Sequence, residues 1–354
     1  MDSFFAGVDC HKDTHTVVIL DTRGKVVREL VVASESAGYA QAIAAAKELG
    51  EVVFGLEGTG HYGRAFARAL VVDGIIVYEV PGMLTKRHRR QASRKRKSDR
   101  NDAHAIAEVV LRDAERLPLF REHDEQEALR AQYDQRDRLV RERSASINRL
   151  RSNALRLNIE APSDLRSLCA LETLRKGVER VTGGTRRDSV LADEMQFDID
   201  TIHRLTKRIS KLENEMSPFV RRLAPELLAI HGVSTVVAGG LIGHAGDIHN
   251  LRDSSAFAMR SATAPISWSS GRHQAVRLNV GGNRQLDRLL HVIAMIQIRS
   301  ADHVGRKYYD KKRNEGKTAR AAMRSLKRQL ATVVYFRLRS AQARIDADSV
   351  ADAA

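Results

Sequence analysis

The 354-residue sequence predicts an α/β domain at its N-terminus, a helical middle and a mainly α C-terminal part. Three observations carry that expectation. Short β-branched runs fill residues 3–80, and three of them precede the first helical period. A heptad-spaced stripe runs from Leu129 to Leu157 and is matched by another from Ile202 to Met216. After Pro225 the composition turns apolar and Gly-rich, then basic. The expected divisions are 1–125, 126–220 and 221–345.

FFAGV, TVVIL and KVVRELVV read as strands, the last two joined by a turn at Asp21-Thr22-Arg23-Gly24. Residues 34–49 switch to a helical period, with Tyr39, Ala42, Ile43, Ala46 and Leu49 along one side. EVVFGLE (51–57) is a fourth strand, His61–Val72 a helix stopped near Gly74, and IIVYEV (75–80) a fifth strand closed by Pro81-Gly82. The order β-β-β-α-β-α-β is RNase H-like. Rossmann and ferredoxin-like orders fit less well, because three strands come before the first helix.

From Asp102 the pattern is helical, with Ala105, Ile106, Val109 and Val110 on one stripe. Leu129, Tyr133, Arg136, Val140, Arg143, Ile147, Leu150, Ala154 and Leu157 predict a long helix that ends before Pro162. Its two arginines loosen the seam, which favours a loose coiled coil or a helical hairpin. Ile202, Leu205, Ile209, Leu212 and Met216 offer an antiparallel partner, within one chain or across a dimer, and residues 163–198 read as a variable connector. LLAIHGVSTVVAGGLIGHAGDI (227–248) reads as two short helices around a turn at His231-Gly232-Val233-Ser234. Such a helix-hairpin-helix grips backbone phosphate without reading bases. Residues 303–340 form a basic helical tail interrupted at Asn314-Glu315-Gly316-Lys317, and the last dozen residues are expected to fray.

Formal net charge is +15, a surplus that steers polyanions inward. Nine of the seventeen residues from 84 to 100 are Lys or Arg, a block that repels itself until phosphate or water neutralises it. Lys86, Arg87, Arg89, Arg90, Arg94, Lys95, Arg96 and Lys97 are therefore candidate nucleic-acid contacts. Cys10 and Cys169 make no disulfide framework, which points to a reducing cytoplasm and, for an active DNA-binding chain, the bacterial nucleoid. MDSFFAGVD carries no leader pattern, and no run of 18 uncharged apolar residues exists, so no membrane partner is expected.

The carboxylates carry the chemistry. GVD ends the first strand at Asp9 and GLE ends the fourth at Glu57. Those strands are neighbours in an RNase H-like sheet, so both side chains meet at one edge. Asp99 and Asp102, at i and i+3, share one face of a helix start beside the basic block. Four such acids repel one another unless cations intervene. Two Mg²⁺ ions, or Mn²⁺, would resolve the conflict, orient a scissile phosphate and stabilise the leaving 3′ oxygen. The duller readings are a strand end for Asp9, a helix cap for Glu57, and ion pairs of Asp99 and Asp102 with Arg96 and Arg100. A zinc cluster of Cys10, His11 and His15 lacks a second cysteine pair, and an actin-like ATPase would need more phosphate loops than Gly58-Thr59-Gly60.

A second chemical segment, PISWSSGRHQAVRLNVGGNRQLDR (265–288), places Ser269, Ser270, Gly271 and Arg272 in a polar turn. Taken alone, it reads as a phosphate-contact loop in which Arg272, His273 and Arg277 are ligands. Gly281, Gly282, Asn283 and Arg284 start the following helix close to backbone. No triad spacing marks either serine as a nucleophile.

GVDCHKDTHTV (7–17), VVFGLEGTGHYG (52–63), KSDRNDAHAIAE (97–108) and the GHAGDI, SSGR and GGNRQLDRLL segments resemble, in order and spacing, the DEDD transposases of the IS110 insertion-sequence family. The resemblance covers nearly the whole chain. It implies a RuvC-like (RNase H-like) N-terminal domain, a coiled-coil insertion and a mainly α C-terminal transposase domain. It carries the four metal-binding acids onto Asp9, Glu57, Asp99 and Asp102, and the catalytic serine onto Ser270, with Ser269 as its neighbour. It further implies a recombinase that excises and inserts an element, guided by a non-coding bridge RNA that pairs with donor and target DNA. Dimers would assemble into a tetramer in which the acids of one protomer meet the serine of another, forming a 5′-phosphoserine. The family's hairpin is Pro-Gly-Ile-Gly or close to it. Here Ser234 stands in its last place, and a serine reaches positive φ only at a cost of about 1 kcal/mol, which is expected to weaken that phosphate contact.

Two rivals stand beside this reading: a metal-dependent RuvC-like nuclease or junction resolvase with no serine intermediate, and a non-catalytic nucleic-acid scaffold. Under either DNA-cutting reading, Lys95→Ala weakens duplex binding evenly across sequences. It also lowers the slope of log affinity against log salt by about 0.9, measurable by filter binding at several salt concentrations.

Overall fold

Runs of β-branched and apolar residues, continuous in β1 (Ser3–Cys10) and β2 (Thr14–Leu20) and alternating in exposure along β3 (Val26–Ala33), form an antiparallel meander. Its β2–β3 turn closes with the Gly24 amide donating to the Asp21 carbonyl at 3.0 Å. After α1 (Ser36–Lys47) the chain returns through β4 (Glu51–Glu57), parallel to β1, and after α2 (Arg64–Val72) through the short β5 (Val77–Glu79). The resulting order β3-β2-β1-β4-β5 is that of the RNase H-like, RuvC-like fold. The computed structural model describes residues 3–59, 61–82, 84–85, 98–121, 124–180, 184–270, 273–277 and 279–351. The side chains of 267–270, 273–277 and 348–351 are outside the description. The chain divides into two units, Met1–Glu122 and His123–Ala354.

The sheet has two unlike faces. Ala6, Val8, Val17, Ile19, Phe54 and Leu56 pack with Tyr39 of α1 and Phe66 of α2 on one side. On the other side lies α3 (Asp99–Asp113), whose Ala103 and Ala107 pack with Val18 and Leu20. Two glycines make that second contact possible. Gly7 and Gly55 are partners in the β1–β4 register. A methyl group on Gly7 would lie 2.1 Å from the Ala103 carbonyl oxygen and 2.2 Å from the Ala107 nitrogen. One on Gly55 would lie 2.2 Å from a Val110 methyl. The helix therefore rests on bare backbone.

In the second unit, α4 (Asp124–Arg156) and α6 (Arg186–Leu223) run antiparallel. Arg136 pairs with Glu213 at 2.7 Å, Arg149 with Asp198 at 2.7 Å, and Asn153 donates to Glu194 at 3.0 Å. The arginines that interrupt the heptad stripe thus have polar partners, since Arg143 also donates to the Thr206 hydroxyl at 3.2 Å. Ile202, Leu205, Ile209, Leu212 and Met216 are all buried. Beyond them α7 (Pro225–Leu228), α8 (Thr235–Ala245), α9 (Ser254–Arg260), α10 (Arg284–Arg299), α11 (Val304–Asn314) and α12 (Ala319–Ala351) enclose a second core. Between α9 and α10 stands a hairpin of β6 (Ile266–Ser270) and β7 (His273–Arg277). No helix among the described residues is long and apolar enough to cross a membrane.

Several local expectations are corrected. Residues 163–198 are not a variable connector: they hold α5 (Leu168–Glu179) and the first turns of α6. Leu171, Leu174, Val178 and Met195 are buried there, and a Thr185–Asp188 capping box starts α6. Residues 343–351, expected to fray, are helical: α12 continues to Ala351 and buries Ile345. Ser234 needs no positive φ. Gly232 supplies it (φ 92°), while Ser234 caps α8 in extended backbone, accepting from the Val237 amide at 3.3 Å. Ser269 and Ser270 lie in β6 rather than in the turn, paired with Gln274 and His273.

Gly7→Ala should destabilise the protein by at least the upper part of the ~1–3 kcal/mol range for overpacking, because the clash is with backbone that no rotamer relieves. Urea unfolding followed by circular dichroism measures the loss.

Candidate metal centre

Period-two geometry sends Gly7 and Asp9 to the same face of β1, and Gly55 and Glu57 to the same face of β4. Asp9 and Glu57 are register partners across the parallel pair. The glycine seat sets where α3 begins. From Gly7 to Asp9 the strand advances about 6.6 Å. From midway between Ala103 and Ala107 back to midway between Asp99 and Asp102, the helix spans about 6.8 Å. The first turn of α3 therefore arrives level with Asp9 and Glu57. Ser98 caps this turn, accepting from the Asn101 amide at 3.3 Å, and the helix N-terminus favours the anionic pair.

The ligand atoms of Asp9, His11 and Asp99 all lie within 4.8 Å of one another. His11 Nε2 sits between the two carboxylates, 3.3 Å from Asp9 Oδ2 and 3.3 Å from Asp99 Oδ1. Asp9 is largely shielded, while His11 and Asp99 are open to solvent. Burial raises the Asp9 carboxyl above its ordinary range. His11 opposes the rise, and Asp102, Asp99 and Glu57 add to it. Glu57 and Asp102 stand outside the tight three-residue group but act on Asp9 through charge.

Glu57 is held from behind. The Thr85 hydroxyl, on a residue only 1% exposed, lies 3.0 Å from Glu57 Oε2 and 3.0 Å from the Gly82 carbonyl, and donates to one at a time. A methyl group on Gly82 would come within 2.4 Å of Glu57 Oε1. Arg100, proposed from sequence as a partner for the acids, turns to Glu29 on β3 instead, its Nε donating at 2.6 Å.

Sequence reasoning weighed His11 only as part of a zinc cluster and missed its place between the acids. The DCH run contained the signal, since the strand ends at Cys10 and the next residue curls back toward the Asp9 side. The zinc grouping fails because Cys10 and His15 face the opposite side of the sheet. His15 packs in one aromatic cluster with Tyr39 and Phe66, its ring centroid 5.7 and 5.6 Å from theirs. Burial, with Asp9 and Glu57 adding, pushes the Cys10 thiol up to about 12, so it stays protonated.

The donor set fits a divalent cation: clustered carboxylates that oppose one another, joined by an imidazole nitrogen that the all-oxygen expectation lacked. Other expected residues are distributed elsewhere. Ser270 ends β6 and Arg277 ends β7 in the second unit, with side chains outside the description, and Arg284 opens α10. Lys86, Arg87, Arg89, Arg90, Arg94, Lys95, Arg96, Lys97 and Arg272 lie outside the described residues.

Residues 6–158 match a DEDD family profile described as Transposase, and residues 224–310 match one described as Transposase IS116/IS110/IS902 family. An uncharacterized protein of insertion element IS116 from Streptomyces clavuligerus is 25% identical over 96% of this chain and 95% of its own length. One from insertion element IS900 of Mycobacterium paratuberculosis is 24% identical over 95% of each. The transposase for insertion sequence element IS1328 from Yersinia enterocolitica is 26% identical over 58% of this chain and 60% of its own. Among solved structures, T. thermophilus RuvC in complex with a Holliday junction substrate aligns over 30% of this chain and 90% of that one. Identity there is 17% and the TM-score 0.25, so the fold is read from strand order and register alone.

A carboxyl whose folded pKa is raised weakens the fold once pH exceeds its unfolded value. Asp9→Asn should therefore raise the melting temperature of metal-free protein at pH 7 and erase the further rise that Mn²⁺ gives the parent chain. Thr85→Val should weaken Mn²⁺ binding roughly 10–100-fold by calorimetry, while Thr85→Ser keeps it.

Proposed function

The chain belongs to the IS110/IS116/IS902 family of DEDD transposases, and from that premise we propose that it cuts DNA strands by metal-dependent phosphoryl transfer at the Asp9 cluster. The register of Asp9 with Glu57, with Asp99 brought against Asp9 by α3, carries this reading. Asp9, Glu57, Asp99 and Asp102 are the proposed cation ligands, and Thr85 holds Glu57 in orientation. When bound, Mg²⁺ or Mn²⁺, two per site on the family pattern, neutralises charge on the scissile phosphate and on the leaving oxygen. His11, between Asp9 and Asp99, offers a ring nitrogen to the same site.

The finer proposal adds a covalent step. Ser270 lies in the stretch that matches the family's C-terminal profile. Its Oγ would attack phosphorus and lose its proton to solvent while the bond to the 3′ oxygen breaks. The resulting 5′-phosphoserine ester conserves the bond for rejoining. The same resemblance supports guidance by a bridge RNA on donor and target DNA, and dimers that assemble into a tetramer. The +15 charge supports a polyanionic partner of either kind. The simpler reading, hydrolytic cutting without a serine adduct, is favoured by the acid cluster, which is complete without Ser270.

Denaturing gels separate the two. With DNA carrying the element ends, guide RNA and Mg²⁺, the parent chain should give a protein–DNA adduct and Ser270→Ala should give none and no rejoined product. Cutting by Ser270→Ala at the parent rate, with no adduct from either protein, would leave the hydrolytic reading standing. Asp9→Asn should abolish cutting under both.

A further inference from the structure

The geometry points to a binding cavity for an unpaired nucleotide of a nucleic-acid strand, at the foot of the β6–β7 hairpin in the second unit. The inference rests on the nucleic-acid reading above and deepens it. The cavity holds about 810 Å³, within the ordinary range of ~300–1,000 Å³ for ligand pockets. The segments leading into β6 and out of β7 line it, together with α10, α11 and α12.

Its charge is one-sided. Arg284, Lys317, Arg324, Lys327 and Arg328 line it against a single acid, Asp287. Lys327, only 8% exposed, is bound to Asp287, so that pair cancels. Arg284, Arg324 and Arg328 have no carboxylate hydrogen-bonded or ion-paired to them among the described residues, while Glu315 acts on Lys317 through charge. Arg328 donates to the hydroxyls of Thr332 at 2.7 Å and Ser255 at 3.4 Å, Lys317 to that of Ser325 at 3.3 Å, and Arg324 to the Arg320 carbonyl at 3.3 Å. Three arginines lining one cavity with no carboxylate ion-paired to them favour a ligand of repeated negative charge. Ala264, Pro265, Val280 and Tyr308 add apolar surface that phosphate alone would leave uncovered.

The wall is preformed. Ala262 is held at φ 58°, a left-handed conformation that an L-residue adopts only where its surroundings impose it. Surrounding contacts impose it: Asn279 donates to the Met259 carbonyl at 2.6 Å, and the Asn283 amide to the Arg260 carbonyl at 2.6 Å. A methyl group on Gly282 would lie 2.5 Å from the Ala262 nitrogen. Charged and apolar lining in one cavity suits one base with its flanking phosphates. Bases in a duplex are stacked and offer only their edges, whereas an unpaired nucleotide can present its face. Ser270 ends β6 about 13 Å of strand away from Ile266.

Fluorescence anisotropy of the full chain with a fluorescein-labelled oligothymidylate, and with a duplex of equal length, tests this. Ala321→Trp, which fills the cavity without changing charge, should weaken single-strand binding about tenfold or more and leave duplex binding within about twofold. Arg324→Gln combined with Arg328→Gln should lower the single-strand slope of log affinity against log salt by about 1.4. The double variant alone decides if Ala321→Trp does not fold. An unchanged single-strand slope, or an equal loss on single strand and duplex, overturns the proposal. Either result leaves the Asp9→Asn cutting assay, and so the function above, untouched.

Discussion

Contact between a helix and bare sheet backbone is the condition on which the first unit depends. Gly7 and Gly55 sit side by side on β1 and β4, and α3 lies in the space that two side chains would have filled. Because the helix descends to backbone level, its first turn comes within reach of the strand ends. Had either glycine carried even a methyl group, Asp99 and Asp102 would stand off from Asp9 and Glu57 by the thickness of a side chain. The candidate metal centre is thus a consequence of packing two residues upstream of Asp9.

What that packing assembles is costly by itself. Burial raises the Asp9 carboxyl and the acids pressed around it add to the rise, while the His11 imidazole, 3.3 Å away, opposes it. Arg100, which sequence proximity makes the obvious neutralising partner, is drawn to Glu29 on β3. That pairing turns Arg100 away from the acids, an arrangement that suits a site where a bound metal supplies the charge. Thr85 and Gly82 leave Glu57 a fixed orientation behind this front.

Much of this was legible in the sequence, and the reasons are specific. The turn at Asp21–Gly24, the β-branched runs and the position of three strands before α1 determine the strand order, and that order makes Asp9 and Glu57 neighbours. The buried stripe Ile202–Met216 was legible because its period is helical over many turns. Three things were not. His11 leaves the strand period at its last residue, so its direction depends on the loop and not on alternation. Residues 163–198 carry the Leu171, Leu174 and Val178 stripe within so short a span that the Ser- and Gly-containing flanks mask it. The cavity at the hairpin foot draws on residues from 262 to 329, and no local pattern joins them.

The β1–β4 pairing joins strands forty residues apart in the chain, and α3 lies as far again beyond β4. Contacts of that span form late, after the loop-closure entropy of the intervening meander and α1 has been met. A product truncated before residue 98 carries Asp9 and Glu57 but neither the helix that seats on the glycines nor its two acids. Under the proposed function such a fragment cuts no DNA, because two of the four carboxylates are missing, so an interrupted gene copy is harmless to the DNA around it.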